Sequence, residues 1–242
     1  DAVRDKIESI SAGGASITGN RQNVVLWEEF IGISNSNSFG VLGLLRETTG
    51  GGILAVTATN TDTSPGQVNL YTGTGTTNKI GIMSNATPSG WILGGGTYVL
   101  EQRVFIESLA ATTTNEYVFR SGFLDALASQ PVDGVYFQYD AASANWVTVC
   151  RANNVETASA VASSTAVVED VWIKLRIEIN AAATQALFYV DGTLIRTETA
   201  NIPTGAARHT SIGTSAIKAA GAVDNDFFID YYGLEIGLSA SR

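Results

Sequence analysis

Bond-breaking chemistry needs particular residues in particular places, and this chain is poor in them. Nucleophilic catalysis wants a Ser, Cys or Thr beside a base. The 242 residues include one histidine, His209, and one cysteine, Cys150. His209 lies among the small residues of Gly205–Ser211 and reads as a surface-loop side chain. Cys150 ends the alternating run Trp146–Cys150 and reads as a small buried apolar group. A thiol hydrolase is therefore not expected. Glycoside hydrolysis needs two carboxylates at a set separation, which a β-strand supplies most simply as acids two residues apart. Glu28 and Glu29 are adjacent and point to opposite faces, and Glu178 has no acid two positions away. Asp224, Asp226 and Asp230 would share a face in a regular strand, but Phe227-Phe228 suggests a turn entering the last strand instead.

Metal chemistry is equally thin. A lone cysteine excludes an intrachain disulfide and a thiolate cluster. Asp133-Gly134 and Asp191-Gly192 read as hairpin turns rather than calcium loops, and no EF-hand spacing occurs. The run Val135-Tyr136-Phe137-Gln138-Tyr139 is similar to the tyrosine strand of alginate lyases, but the Q-x-H partner is missing. The expectation is a protein without catalysis, metal or cofactor.

Carbohydrate binding asks for less: exposed aromatic faces against sugar rings, and planar polar groups for hydroxyls. Strand alternation places Trp172, Lys174, Arg176 and Glu178 on one face, Tyr136 and Gln138 on one face, and Trp146 and Thr148 on one face. Glu101 and Arg103 share a face opposite Gln102 and Val104. If these strands are neighbours, they form an aromatic and charged groove. The candidate carbohydrate-binding residues are accordingly Tyr136, Gln138, Trp146, Trp172, Lys174, Arg176 and Glu178. The competing reading is that Trp146 and Trp172 cover a second hydrophobic layer or a subunit interface.

The elements that would position these residues are strands. In Val171–Gly192, Ile173, Leu175, Ile177 and Ile179 line one side of an extended run, and Ala186–Val190 returns through Asp191-Gly192 into Thr193–Thr199. That predicts three antiparallel strands with one dry face. Further strands are expected at Val24–Phe30, Phe39–Leu45, Gly52–Thr59, Gln67–Thr72, Lys79–Met83, Thr97–Ser108 and Glu116–Leu124. A hairpin of Val135–Asp140 with Trp146–Ala152 follows, and Phe227–Ile236 closes the set. A dozen or more short strands without an interior helix predict an all-β, two-sheet antiparallel sandwich. Asp1–Ile10 carries Val3, Ile7 and Ile10 at heptad spacing, the pattern of a short helical or stem segment. Residues 1–20 are thus expected to be an N-terminal stem and linker, and 21–242 one jelly-roll domain.

Composition narrows the partners. Twenty-three acidic against fourteen basic residues give a formal charge of −9, which repels phosphate backbones, so no nucleic-acid partner is expected. No apolar run approaches the ~20 residues of a membrane-spanning helix, so no membrane insertion is expected.

Several stretches together resemble a domain of tailed-bacteriophage virion proteins. They are Val132–Asp140 with Asn145-Trp146, Val171–Asn180, Phe188–Gly192, Thr199–Pro203 and Ile229–Tyr232, and the resemblance spans roughly residues 91–238. That family is similar in fold to the concanavalin A-like lectin/glucanase jelly roll. The resemblance implies a homotrimeric tail-fibre or receptor-binding part of a virion. Such a part would contact other tail proteins and act outside the host on capsule or lipopolysaccharide. The absence of disulfides fits assembly in a reducing cytoplasm. Two alternatives use the same fold: a capsule or cell-wall depolymerase, and a purely structural decoration protein.

Overall fold

A computed structural model describes residues 23–30, 38–39, 42–57, 66–84, 90–156 and 162–238. The expected N-terminal stem lies outside the described residues. Among those described there are seventeen strands and no helix. They form two antiparallel sheets, the predicted jelly-roll sandwich.

The eight-stranded sheet runs in the order β15 (Thr193–Glu198), β14 (Ala186–Val190), β13 (Trp172–Ile179), β7 (Gly96–Ile106), β17 (Asp226–Leu238), β5 (Gln67–Tyr71) and β4 (Ile53–Thr57). The remaining strand, β1 (Asn23–Glu28), pairs with the C-terminal half of β17. The nine-stranded sheet runs β11 (Val155–Glu156), β10 (Ser143–Ala152), β9 (Gly134–Asp140), β8 (Glu116–Leu124), β16 (Ser211–Ala220), β6 (Lys79–Met83), β3 (Leu44–Thr49) and β2 (Ser38–Phe39), with β12 (Ala162–Ala166) on β10.

The alternation read from the sequence sets which side is dry. In β13, Ile173, Leu175, Ile177 and Ile179 are buried while their neighbours face outward. The inner faces of the two sheets meet through aromatic rings. Phe119 stacks on Phe227 at 5.4 Å, and Phe137 meets Phe188 edge-on at 5.2 Å. The core also holds polar groups that bond one another, as burial demands. Ser121 Oγ donates to Gln102 Oε1 at 2.8 Å and touches the Thr214 hydroxyl, which accepts from Tyr232 at 2.6 Å. The Ser121–Gln102 and Tyr232–Thr214 bonds cross between the sheets and pin their relative register.

Four local readings need correction. Phe39–Leu45, expected as one strand, is split between β2 and β3, where Phe39 pairs with Leu44. Ser211–Ala220, unassigned from sequence, is a central strand of the nine-stranded sheet. Its Gly, Ala and Ser residues carry no hydrophobic alternation, and the larger Phe119 and Ile82 beside it fill the core. Asp133-Gly134 is not a hairpin turn. Asp133 closes the 125–133 loop, and its carboxylate takes Arg208 Nη1 at 2.7 Å and the Asn153 amide at 2.8 Å. Phe227-Phe228 is strand, as the predicted Phe227–Ile236 segment has it and not a turn entering it, with a register shift between Ile229 and Tyr231. Asp191-Gly192 is the predicted turn: φ is 47° at Asp191 and 79° at Gly192, the positive pair that a tight antiparallel connection requires.

Candidate glycan-binding face

The outer face of the eight-stranded sheet carries a connected set of aromatic and charged side chains. Strand register lines up one row directly: Tyr189 opposite Arg176, Arg176 opposite Glu101, Glu101 opposite Gly233, and Gly233 opposite Trp27. Gly233 matters here because it has no side chain. A Cβ at that position would lie 3.0 Å from Trp27 Cη2, so the indole lies across bare backbone. Trp27 stays 48% exposed and meets the Tyr231 ring at 5.2 Å.

The irregularity in β17 builds the next row. Ile229 and Tyr232 both face the core, so Asp230 and Tyr231 both turn outward, where they meet Arg103 of β7. Such a bulge re-aims side chains at the cost of one ladder position. Asp230 Oδ2 accepts from Arg103 Nη1 at 2.7 Å, and the Tyr231 hydroxyl donates to Glu101 Oε1 at 2.7 Å. Burial, reinforced by Glu101, pushes the Tyr231 phenol well up, so it remains a donor at neutral pH. Lys174 Nζ lies 3.4 Å from Glu101, and Arg176 Nη2 lies 2.5 Å from Glu178. Glu101, Lys174, Arg176, Asp191 and Gly192 line a half-open recess of about 390 Å³. Its lining side chains, Glu101 and Asp191 against Lys174 and Arg176, balance in charge.

The guanidinium groups cover two of the aromatic rings. Arg103 lies 4.9 Å over Trp172, and Arg176 lies 5.6 Å over Tyr189. Trp172 also packs on Phe105 at 5.4 Å. Among the aromatics of this face, Trp27 therefore offers the most open ring.

The structure divides the seven residues singled out from sequence. Trp172, Lys174, Arg176 and Glu178 share this outer face, as alternation predicts. Tyr136 and Gln138 lie on the outer face of the other sheet, on the opposite side of the sandwich. Tyr136 is fully buried there against Leu124, Leu127 and Val149. Trp146 is fully buried between the sheets against Phe119, Phe137 and Tyr139, so it presents no surface to a ligand. Tyr136 and Trp146 thus take the hydrophobic-layer role. Trp27 and Tyr231 were not singled out. Alternation in Val24–Phe30 marks Trp27 as outward, but the pairing of β1 with β17 is not visible in sequence.

The lone cysteine agrees with the sequence reading, whereas His209 is half-buried, with a buried Nδ1 that has no hydrogen-bond partner. Cys150 is buried, and burial pushes its thiol far up. Acids do approach one another: burial first, then Asp230 and Glu28, holds the Glu29 carboxyl above its usual range, and burial first, then Glu107 and Asp224, raises Asp226. Among the described residues no group of His, Cys, Asp and Glu is arranged to hold a metal ion.

Two antiparallel sheets around an aromatic core, with one polar and aromatic outer face, define a concanavalin A-like jelly roll of the lectin and glucanase type. The chain belongs to the SO2946-like family: the model of the SO2946-like C-terminal domain matches residues 63–230. SO2946 of Shewanella oneidensis MR-1, a protein of unknown function, superposes with a TM-score of 0.63 at 13% identity, covering 99% of this chain and 95% of that one. The carbohydrate recognition domain of Emp47p gives 0.56 at 13% identity over 93% of this chain and all of the other. An endo-1,3-β-glucanase of Streptomyces sioyaensis gives 0.56 at 13% identity over 92% and 99%. No curated protein matches the sequence.

Proposed function

We propose that this chain is a carbohydrate-binding module that recognises a bacterial surface polysaccharide, capsule or lipopolysaccharide, without cleaving it. One observation carries the reading: the row Tyr189–Arg176–Glu101–Gly233–Trp27 puts an open indole beside paired, planar charged groups on a single sheet face. The indole suits the apolar side of a sugar ring, and the carboxylate and guanidinium groups suit its hydroxyls. Their mutual pairing leaves the face near neutral, which favours hydroxyl-rich glycans.

The sequence resemblance to tailed-phage virion proteins supports a place on a tail appendage, as a homotrimer joined to other tail proteins and acting outside the host. Repetition of one weak site on a trimer would raise avidity without new contacts. Incubating the purified protein with host polysaccharide tests the reading. Saturable binding without new reducing ends or unsaturated uronate supports it; polymer shortening overturns it.

One observation favours a depolymerase instead. Glu29, whose carboxyl burial raises, stands near Asp230, which Arg103 holds, and a pair of carboxyl groups is what glycoside hydrolysis uses. That reading requires polymer shortening that Glu29→Gln abolishes.

A further inference from the structure

On the opposite side of the sandwich, the outer face of the nine-stranded sheet buries a cation in an unusual setting. Arg120 is 93% buried, the complement of its 7% exposure. Its Nε donates to Gln138 Oε1 at 2.9 Å, yet Nη1 has no hydrogen-bond partner. The neighbouring carboxylates are committed elsewhere. Asp140 takes the Gln138 amide at 3.0 Å and the Ala142 amide at 3.0 Å, while Glu156 takes Arg151 at 2.9 Å and Gln130.

Two more buried polar groups without partners stand beside it. Ser215 of β16 is the direct cross-strand neighbour of Arg120, and Tyr136 of β9 is diagonal to it, opposite Gly122. Both side chains are completely buried, and neither hydroxyl has a partner. The Tyr136 hydroxyl lies close to the guanidinium and to the Gln130 side chain, without meeting hydrogen-bond geometry with either. The phenol, pushed up to about 12 by burial, stays protonated across the working pH range. The sheet around the three groups is bare backbone at Gly81, Gly122 and Gly213, and Leu127 of the 125–133 loop reaches over the first and last of these.

Three buried donors, Arg120 Nη1 and the Tyr136 and Ser215 hydroxyls, with no acceptor in hydrogen-bond geometry, are costly to leave unmet. A water molecule has two lone pairs and brings two protons that need acceptors of their own. A spherical anion accepts all three donors and also meets the positive charge. We propose that Arg120, Tyr136 and Ser215 hold one small inorganic anion, a halide such as chloride. The site is separate from the glycan-binding face and anchors the 125–133 loop side of the sheet.

The test uses sodium bromide and sodium chloride as probes on the intact protein. Crystals grown in bromide will show an anomalous peak in contact with Arg120 Nη1. The melting temperature at fixed ionic strength will rise and saturate as chloride replaces gluconate, because a ligand bound only to the folded state stabilises it. Ser215→Ala adds no bulk and removes one donor. It will need about five- to tenfold more chloride for the same effect, one hydrogen bond's worth. An ordered water at Arg120 in bromide crystals overturns the proposal. So does a bromide peak with no chloride dependence of melting in either protein, which marks an adventitious ion only.

Discussion

Replacing Trp27 with Ala separates the open aromatic from the covered ones. A Trp side chain presents up to about 250 Å², and Trp27 is 48% exposed, which leaves about 120 Å² of it open. A sugar ring lying on one face covers about half of that, ~60 Å². At ~25 cal/mol per Å² this contributes about 1.5 kcal/mol, a tenfold weakening when removed. The half of the ring already packed on Gly233 and Tyr231 costs at most about 3 kcal/mol of stability by the same arithmetic, so the variant remains folded at 25 °C. Calorimetric titration with a short oligosaccharide released from a bound polysaccharide reads the effect free of avidity, and circular dichroism checks the fold. A folded Trp27→Ala protein that binds as tightly as the parent refutes the reasoning. Trp172→Ala sharpens the comparison. Its ring lies between Arg103 and Phe105, so its loss should show mainly in stability.

Three further outcomes follow from the same geometry. Gly233→Ala places a methyl 3.0 Å from the Trp27 ring; the indole must shift, and oligosaccharide affinity should fall while the melting temperature changes little. Trp146→Ala removes a fully buried ring from the core and should cost about 3–5 kcal/mol in denaturant unfolding; the folded fraction should keep its oligosaccharide affinity. Asp226 has its carboxyl raised to about 6 by burial, then Glu107 and Asp224. Its folded value lies above the unfolded one, so the group favours folding when protonated, and that contribution disappears as pH rises from about 4 to about 6. Asp226→Asn should melt higher than the parent above pH 6 and alike near pH 4, with equal curves at pH 8 counting against the assignment.

The sandwich was legible because its long strands alternate. Trp172–Ile179 and Ala186–Val190 have the predicted bounds, and each puts its apolar residues inward. Ser211–Ala220 was not legible, because a central strand flanked by large neighbours can be built of small residues that carry no period. The binding face was half legible. Alternation assigns Lys174 and Arg176 to the side away from the core, but in Trp146–Cys150 both sides carry apolar residues and it does not say which side is the core. Trp146 and Thr148 share a face as expected, and that face is the interior. Tyr136 does point away from the core, yet a loop carrying Leu127 covers its side of the sheet. The union of Trp27, Glu101 and Tyr231 depends on pairing between strands some 130 and 200 residues apart in sequence, and on a bulge, neither of which a local pattern encodes.

A crystal structure of the protein with the bound oligosaccharide tests the central claim most directly. The account predicts sugar density on the outer face of the eight-stranded sheet, with one ring on Trp27, polar contacts to Glu101, Lys174 or Arg176, and an intact glycosidic bond. Sugar held on the nine-stranded sheet, or a chain cut beside Glu29 and Asp230, would contradict it.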